Sequence, residues 1–269
     1  VERQRRIEGG LTLEAKVAIA KVVIGDALSR FARPFVVWSG GKDSTVVLHL
    51  VREEVTRRGI SMPPALFIDH GMHFDETLDF VDKVSREWDF RVVYARNEDA
   101  LSKVRDGKIC LDELDGENRR EAREVGFEGG CFDYSLESVV GNHLLKTVAM
   151  KRAVRKHRID ALFLGIRWDE NPARSWEVFI SPREDPPHVR VHPILTFTER
   201  NVWDYTLGNG LPVHPLYAKG YRSLDGKQDS RKVDDRPAWE QDLEGTPERL
   251  GRAQDKEGFM ETLRRYGYM

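Results

Sequence analysis

The chain has 269 residues, long enough for one large domain with a sizeable core and a C-terminal extension, and its 43 Lys and Arg against 45 Asp and Glu leave a formal net charge of −2. So close a balance gives no whole-chain reason to expect nucleic acid or a membrane surface as partner, although local basic clusters stay open. Two cysteines, Cys110 and Cys131, read as reduced thiols, one of them open to reactivity, and no signal peptide or transmembrane span is found, so a cytoplasmic enzyme is expected.

Apolar residues recur at helical spacing from Leu13 to Phe31, and Pro34 ends that segment. Phe35 to Trp38 reads as a strand, Ser39-Gly40-Gly41 as a tight turn, and Val46, Val47, Leu50, Val51 and Val55 as the apolar face of a helix. A second unit follows, with Ala65 to Ile68 as strand and Glu76 to Trp88 as helix, then a strand at Arg91 to Tyr94. This alternation predicts a parallel sheet with right-handed crossovers.

Between 97 and 141 the periodicity fades, and a charged, irregular insertion with room for one helix is expected to cover the site. A helix near Val140 to His157 and a buried strand at Ala161 to Ile166 come next, the strand ending in Arg167, Asp169 and Glu170. Ligands of open α/β sheets bind at the carboxyl ends of strands, so these residues are expected to point toward the Gly-Gly turn. After Val191-His192-Pro193-Ile194, Thr198 caps a helix carrying Val202, Trp203 and Tyr205. Beyond Pro215 the chain reads as a polar tail closing on the body, with a final helix at 256–265. The expected fold class is α/β, an open, mainly parallel twisted sheet with helices on both faces. Its parts are an N-terminal helix (1–34), an α/β domain (35–215) and the extension (216–269).

The segment Ser39-Gly40-Gly41-Lys42-Asp43-Ser44-Thr45 joins strand to helix, where free N–H groups and the positive helix end attract anions. The glycines allow close backbone approach, Ser39, Ser44 and Thr45 offer hydroxyls, Lys42 a mobile charge, and Asp43 a ligand for Mg²⁺. A triphosphate matches this set. The plainer alternative is a packing turn in which Asp43 or Ser44 caps the helix. The spacing differs from the phosphate loop with four residues before its Gly-Lys pair, so γ-phosphate hydrolysis is not expected. Because Lys42 and Asp43 fall on a turn and not in the core, their replacement is expected to reduce turnover far more than stability.

Arg167 and Arg174 carry planar guanidinium groups that suit a tetrahedral oxyanion, the alternative being a structural network with Asp169 and Glu170. His73, His192 and His214 read as scaffolding before catalysts. Trp168, Trp176 and Trp203 fit packing as well as base stacking. The basic run Lys151 to Arg158, at a helix C-terminus, reads as a solvated face and not a nucleic-acid patch.

Ser39 to Ser44 resembles the pyrophosphate loop of the ATP pyrophosphatase superfamily, in its branch of PAPS reductases and ATP sulfurylase small subunits. Phe67-Ile68-Asp69-His70-Gly71 and Gly165-Ile166-Arg167-Trp168-Asp169-Glu170 with Arg174 are similar to two further motifs of that branch. So are the stretch from Val191 to Tyr217 and the tail Glu248-Arg249-x-Gly251-Arg252-x-x-Asp255. The resemblance implies that Asp69 and Gly165 lie against the nucleotide, that ATP with Mg²⁺ is cleaved at the α phosphate, and that pyrophosphate leaves.

PAPS reductases resemble Tyr217 to Ser223 but continue to a nucleophilic cysteine, whereas Leu224 to Ser230 here contains none. Thiol-dependent reduction is therefore disfavoured, as is a cysteine-ligated iron–sulfur cluster. The leading expectation is adenylyl transfer to sulfate, with phosphate or a phosphosulfate also compatible with the arginines and with a GTPase partner implied by the small-subunit resemblance. The alternatives are an ATP pyrophosphatase serving a sulfur-transfer or nucleic-acid-modification system, and a non-catalytic nucleotide-binding subunit. Oligomeric state is open, a homodimer included.

Overall fold

A computed structural model describes residues 10–251; the helix read at 256–265 lies outside them. Thr12 accepts a hydrogen bond from the Ala15 N–H and starts α1 (Leu13–Arg30), whose buried stripe includes Ala20, Ile24 and Ala27. The chain then alternates through β1 (Pro34–Val37), α2 (Lys42–Arg58), β2 (Ala65–Ile68), α3 (Asp75–Glu87) and β3 (Val92–Ala95). Next come α4 (Glu98–Ser102), β4 (Lys108–Cys110), α5 (Gly116–Glu124), β5 (Cys131–Asp133) and α6 (Val139–Asn142). A π-helical turn, His143–Val148, leads into α7 (Ala149–His157) and β6 (Ala161–Phe163). After β7 (Ile180–Glu184) and β8 (Pro187–Val191) come α8 (Glu199–Gly208) and α9 (Pro215–Ala218).

The main sheet has the order β3-β2-β1-β6-β8-β7. All its pairs are parallel except β7 with β8. Alternate residues of β1 feed opposite layers. Val36 joins a core with Ile24 of α1, Val47 and Val51 of α2 and Val202 of α8, while Phe35 joins Met150 and Val154 of α7 on the other face. Helices therefore cover both faces, as the alternation predicts. Chain order reverses between β1 and β6, which opens a crevice at their carboxyl ends.

The stretch 97–141 is not irregular. It folds into a lobe of helices and a β4–β5 hairpin, with Ile109, Leu111, Leu114, Ala122 and Phe132 buried together against Leu144, Leu145 and Val148 of the π turn. The hairpin also corrects the expectation of two free thiols. Its register sets Cys110 directly opposite Cys131, and a disulfide joins them across 21 residues of sequence. The β7–β8 hairpin was not foreseen, because Pro182, Pro186 and Pro187 interrupt the strand pattern; β7 tolerates proline as the edge strand.

The basic run at 151–158 is a solvated face only in part: Arg155, Lys156 and Arg158 are exposed, but Lys151 is buried and three of the cations are paired. Lys151 Nζ lies 2.9 Å from both carboxylate oxygens of Glu121 and 3.0 Å from Asp185. Arg152 reaches Glu117 and Asp115 at 2.8 Å, and Arg155 reaches Glu117 at 2.5 Å. The acids that neutralise the run come from the lobe and the β7–β8 turn, distant in sequence, so α7 is clamped to both.

Closing a loop of this length stabilises by about 3 kcal/mol in the chain-entropy account. Complete reduction with dithiothreitol, or Cys131→Ser, should therefore lower the urea resistance of the lobe, read by hydrogen exchange over 108–133. An unchanged exchange profile after reduction would show that the bond adds nothing.

Candidate functional site

The crevice between β1 and β6 is floored by the turn after β1. Gly40 adopts φ of 75°, a conformation that favours glycine, and Gly41 is the N-cap of α2 with no side chain capping the helix. Asp43 and Ser44 therefore do not serve as caps. Ser44 Oγ donates to the Gly41 carbonyl at 3.0 Å and accepts from the Ser39 N–H at 3.3 Å, which holds the turn's shape. Thr45 turns inward: its hydroxyl donates to Gly41 O at 2.9 Å and accepts from Trp38 Nε1 at 3.0 Å. Across the crevice Gly165 packs against the first turn of α2, where a Cβ would stand 2.8 Å from the Ser44 nitrogen. Any side chain there would push β6 away from the helix end.

A buried cluster of charges lies beside this helix end. Lys42 Nζ is 2.5 Å from Glu248, 3.3 Å from Asp43 and 3.9 Å from Glu199. Arg167, fully buried, pairs through NH1 with Asp43, through NH2 with Glu248 and through Nε with Asp169 at 2.8 Å. Arg222 NH2 meets Glu199 at 2.7 Å. Burial opposes the Lys42 charge, but Glu248 and Glu199 outweigh it and raise its pKa above the ordinary lysine value. Burial likewise opposes ionisation of Glu248, yet Arg167 and Lys42 hold its carboxyl well below the usual range. Glu199 goes the other way, pushed up by burial and by neighbouring Glu248.

Arg174 pairs with Glu170, and Arg249 Nε stands 3.4 Å from the same carboxylate. Both arginines of the sequence-read oxyanion pair thus sit in a network with Asp169 and Glu170, but only Arg174 lines the cavity; Arg167 lies behind it. The expectation that Lys42 sits on a turn and not in the core, with little effect on stability, is corrected: it starts α2, and its side chain is almost wholly buried between carboxylates.

A cavity of about 250 Å³ extends from Ser39, Gly41, Lys42, Asp43 and Ser44 to an apolar wall of Val37, Ile68, Met150 and Leu164. Its far side carries His70, His73, Lys146 and Thr147, the last two on the π turn, with Lys146 Nζ 2.5 Å from Asp225. Asp69 stands behind the wall: it accepts from the Gly71 N–H at 2.9 Å and from Arg96 at 2.7 Å, bracing the turn after β2. His192, fully buried, bonds through Nδ1 to Val178 O at 2.8 Å. His214 accepts from the Leu216 N–H and faces Thr77 Oγ1 at 3.0 Å. Trp203 is core, edge-on to Tyr217 and Trp239, whereas Trp176 is 69% exposed. Among the described residues no group of three or more His, Cys, Asp or Glu is arranged as a metal-ligand set.

Sequence reading placed Glu248, Tyr217 and Arg222 in similar segments without giving them a role in the site. The cue was present for Glu248, since its Glu-Arg-x-Gly-Arg motif stands out in a polar tail.

The sequence profile of the phosphoadenosine phosphosulfate reductase domain family matches residues 33–232. A sulfate adenylyltransferase subunit 2 of Brucella anthropi is 29% identical over 225 residues, covering 75% of this chain and 65% of that protein. Its counterpart in Rhizobium tropici is 28% identical over 218 residues, covering 72% and 64%. The chain thus spans just under two thirds of the length of these relatives. Among solved structures, the FMN adenylyltransferase of Candida glabrata superposes with a TM-score of 0.63 at 16% identity, covering 91% of this chain and 88% of that one. The phosphoadenylyl-sulfate reductase of Candida auris gives 0.55 at 17% identity, covering 81% and 97%. Both share the fold.

Two outcomes follow from the charge cluster and the buried histidines. Lys42→Ala leaves Glu248 and Glu199 short of a partner and should cost roughly 3–5 kcal/mol in urea unfolding; a loss under about 0.5 kcal/mol, the usual surface range, would restore the view of Lys42 as a turn residue outside the core. Burial lowers His214 from 6.5 to about 4. The unfolded chain therefore binds the extra proton first, so stability falls as pH drops from about 6.5 to about 4, by roughly 3 kcal/mol for this group. His214→Gln should flatten that part of the profile, and parallel curves for the two proteins would contradict it.

Proposed function

This chain belongs to the phosphoadenosine phosphosulfate reductase domain family, and on that premise we propose that it is an adenylyltransferase. It binds ATP on the Ser39–Thr45 turn and passes the AMP moiety to an oxyanion, with pyrophosphate leaving. One observation carries the reading: the N-terminus of α2, capped by Gly41 without any side chain, opens at the sheet's reversal point with Lys42 beside it.

The chemistry runs at the α phosphorus. An acceptor oxygen attacks it in line, the bond from that phosphorus to the bridging oxygen breaks, and the pair of electrons leaves with pyrophosphate. The first-turn N–H groups of α2 and Lys42 stabilise the departing charge, and the walls hold the reactants in position. Gly165 lets the chain after β6 approach the first turn of α2 closely, which sets the width of the crevice. Asp43, in the first turn of α2, is the carboxylate that would hold Mg²⁺, an ion that relies mainly on phosphate oxygens and water. When bound, the ion supplies charge neutralisation.

Arg174 and Arg249 face the remaining space and are placed to receive the acceptor. Sulfate is the acceptor we favour, because the similar proteins from Brucella and Rhizobium carry that name. The designation of those relatives as a second subunit supports a partner, and the uphill formation of a sulfate–phosphate anhydride favours a GTPase in that role. No thiol of a described residue lines the cavity, since Cys110 and Cys131 are joined in the lobe. Thiol-dependent reduction therefore has no group to perform it there.

The reverse reaction tests this directly, because adenylyl sulfate and pyrophosphate form ATP downhill. Purified protein, alone or with a GTPase partner subunit, should make ATP from the two, and Lys42→Ala should slow this by roughly 10²–10³-fold. No ATP under either condition, from protein that is folded by circular dichroism, would refute the assignment.

A further inference from the structure

The donors that an anionic ligand needs are already taken, and by the C-terminal segment. Glu248 Oε1 sits 2.5 Å from Lys42 Nζ, and its other oxygen accepts from Arg167 NH2. Tyr217 Oη accepts from the Lys42 backbone N–H at 3.1 Å. One carboxylate thus spans the two cations flanking the helix end, as an oxygen pair of a phosphate or sulfate would, while a hydroxyl occupies a first-turn N–H.

We propose that Glu248 is an internal stand-in for the ligand's anion, and that the segment 246–249 is a latch which a phosphate-class oxyanion must displace to enter. This rests on the nucleotide-binding reading above and adds to it the way the site is kept closed. Cavity size agrees: at about 250 Å³ the space falls below the roughly 300–1,000 Å³ of ordinary small-molecule sites. Withdrawing Glu248 and Arg249, both of which line the wall, enlarges it on the side of the phosphate turn.

The anchoring of the segment is uneven in a way that suits a latch. Arg222 holds its root, bonding Asp242 O at 3.0 Å, Leu243 O at 3.1 Å and Thr246 Oγ1 at 2.5 Å. Leu243 is seated with Trp203, Tyr217 and Ala238, and Arg200 meets Glu244 at 2.9 Å on the surface. Beyond Thr246, ion pairs hold the side chains: Glu248 meets Lys42 and Arg167, and Arg249 meets Glu170. An incoming dianion offers the same cations more charge than one carboxylate, so exchange keeps them neutralised and frees Glu248 to reach water. The root need not move.

Calorimetric titration of inorganic pyrophosphate into the full chain tests the latch, comparing wild type, Glu248→Gln and Arg200→Ala. A latch closed nine-tenths of the time weakens apparent affinity about tenfold, so Glu248→Gln should bind pyrophosphate about tenfold tighter. Arg200→Ala, which loosens the root from outside the cavity, should bind it more tightly to a smaller degree. Hydrogen exchange of the wild-type peptide over 242–249 should rise when pyrophosphate is added. Weaker binding by Glu248→Gln, or greater protection of that peptide with ligand, would overturn the proposal, as both make Glu248 part of the liganded site. Should Glu248→Gln fail to fold, Arg200→Ala and the wild-type exchange data decide between the same two results. Equal binding by all three proteins sinks the latch and leaves the nucleotide reading standing. Absence of both pyrophosphate and ATP binding sinks the two together.

Discussion

Cations gathered under the end of α2 are the constraint from which the rest of the site follows. Lys42 and Arg167 are buried, and a buried charge costs several kcal/mol unless carboxylates and hydrogen bonds compensate it. Asp43, in the first turn of α2, and Asp169, in the loop after β6, supply part of that compensation, and Glu248 completes it from a segment that the sheet does not contain. The tail is therefore part of the electrostatics of the crevice and not an appendage to it. Arg222 plays the matching part for Glu199, so that α8, the tail root and the start of α2 share one set of charges.

Much of the fold was legible because its signals are local. The run Phe35-Val36-Val37-Trp38 followed by two glycines and then by apolar residues at helical spacing can form little else than strand, turn and helix. The same holds for β2, α3 and β3. The turn at 39–45 drew an anion-site reading for the same reason: the glycines that make the turn and the polar residues that suit an anion are adjacent.

What was not legible depends on distance along the chain. Glu248 lies 206 residues from Lys42, and a glutamate in a polar tail looks like any solvated charge until the fold brings it inward. The acids that neutralise Lys151, Arg152 and Arg155 are 30 to 38 residues away, so a basic run without visible partners read as a solvent face. In the lobe, Ile109, Leu111, Leu114 and Phe132 are dispersed among charges and cover each other only through tertiary contact. Cys110 and Cys131 meet because of a hairpin register that spacing alone does not reveal. Prolines concealed β7, since edge position, which excuses them, is a property of the sheet.

The π-helical turn at His143–Val148 belongs to two structures at once. Leu144, Leu145 and Val148 are packed into the lobe, while Lys146 and Thr147 look into the cavity. The lobe and the crevice consequently share a wall, one segment packing into the first and lining the second. A region that reads in the sequence as decoration thus backs part of the cavity wall that faces the turn at 39–45.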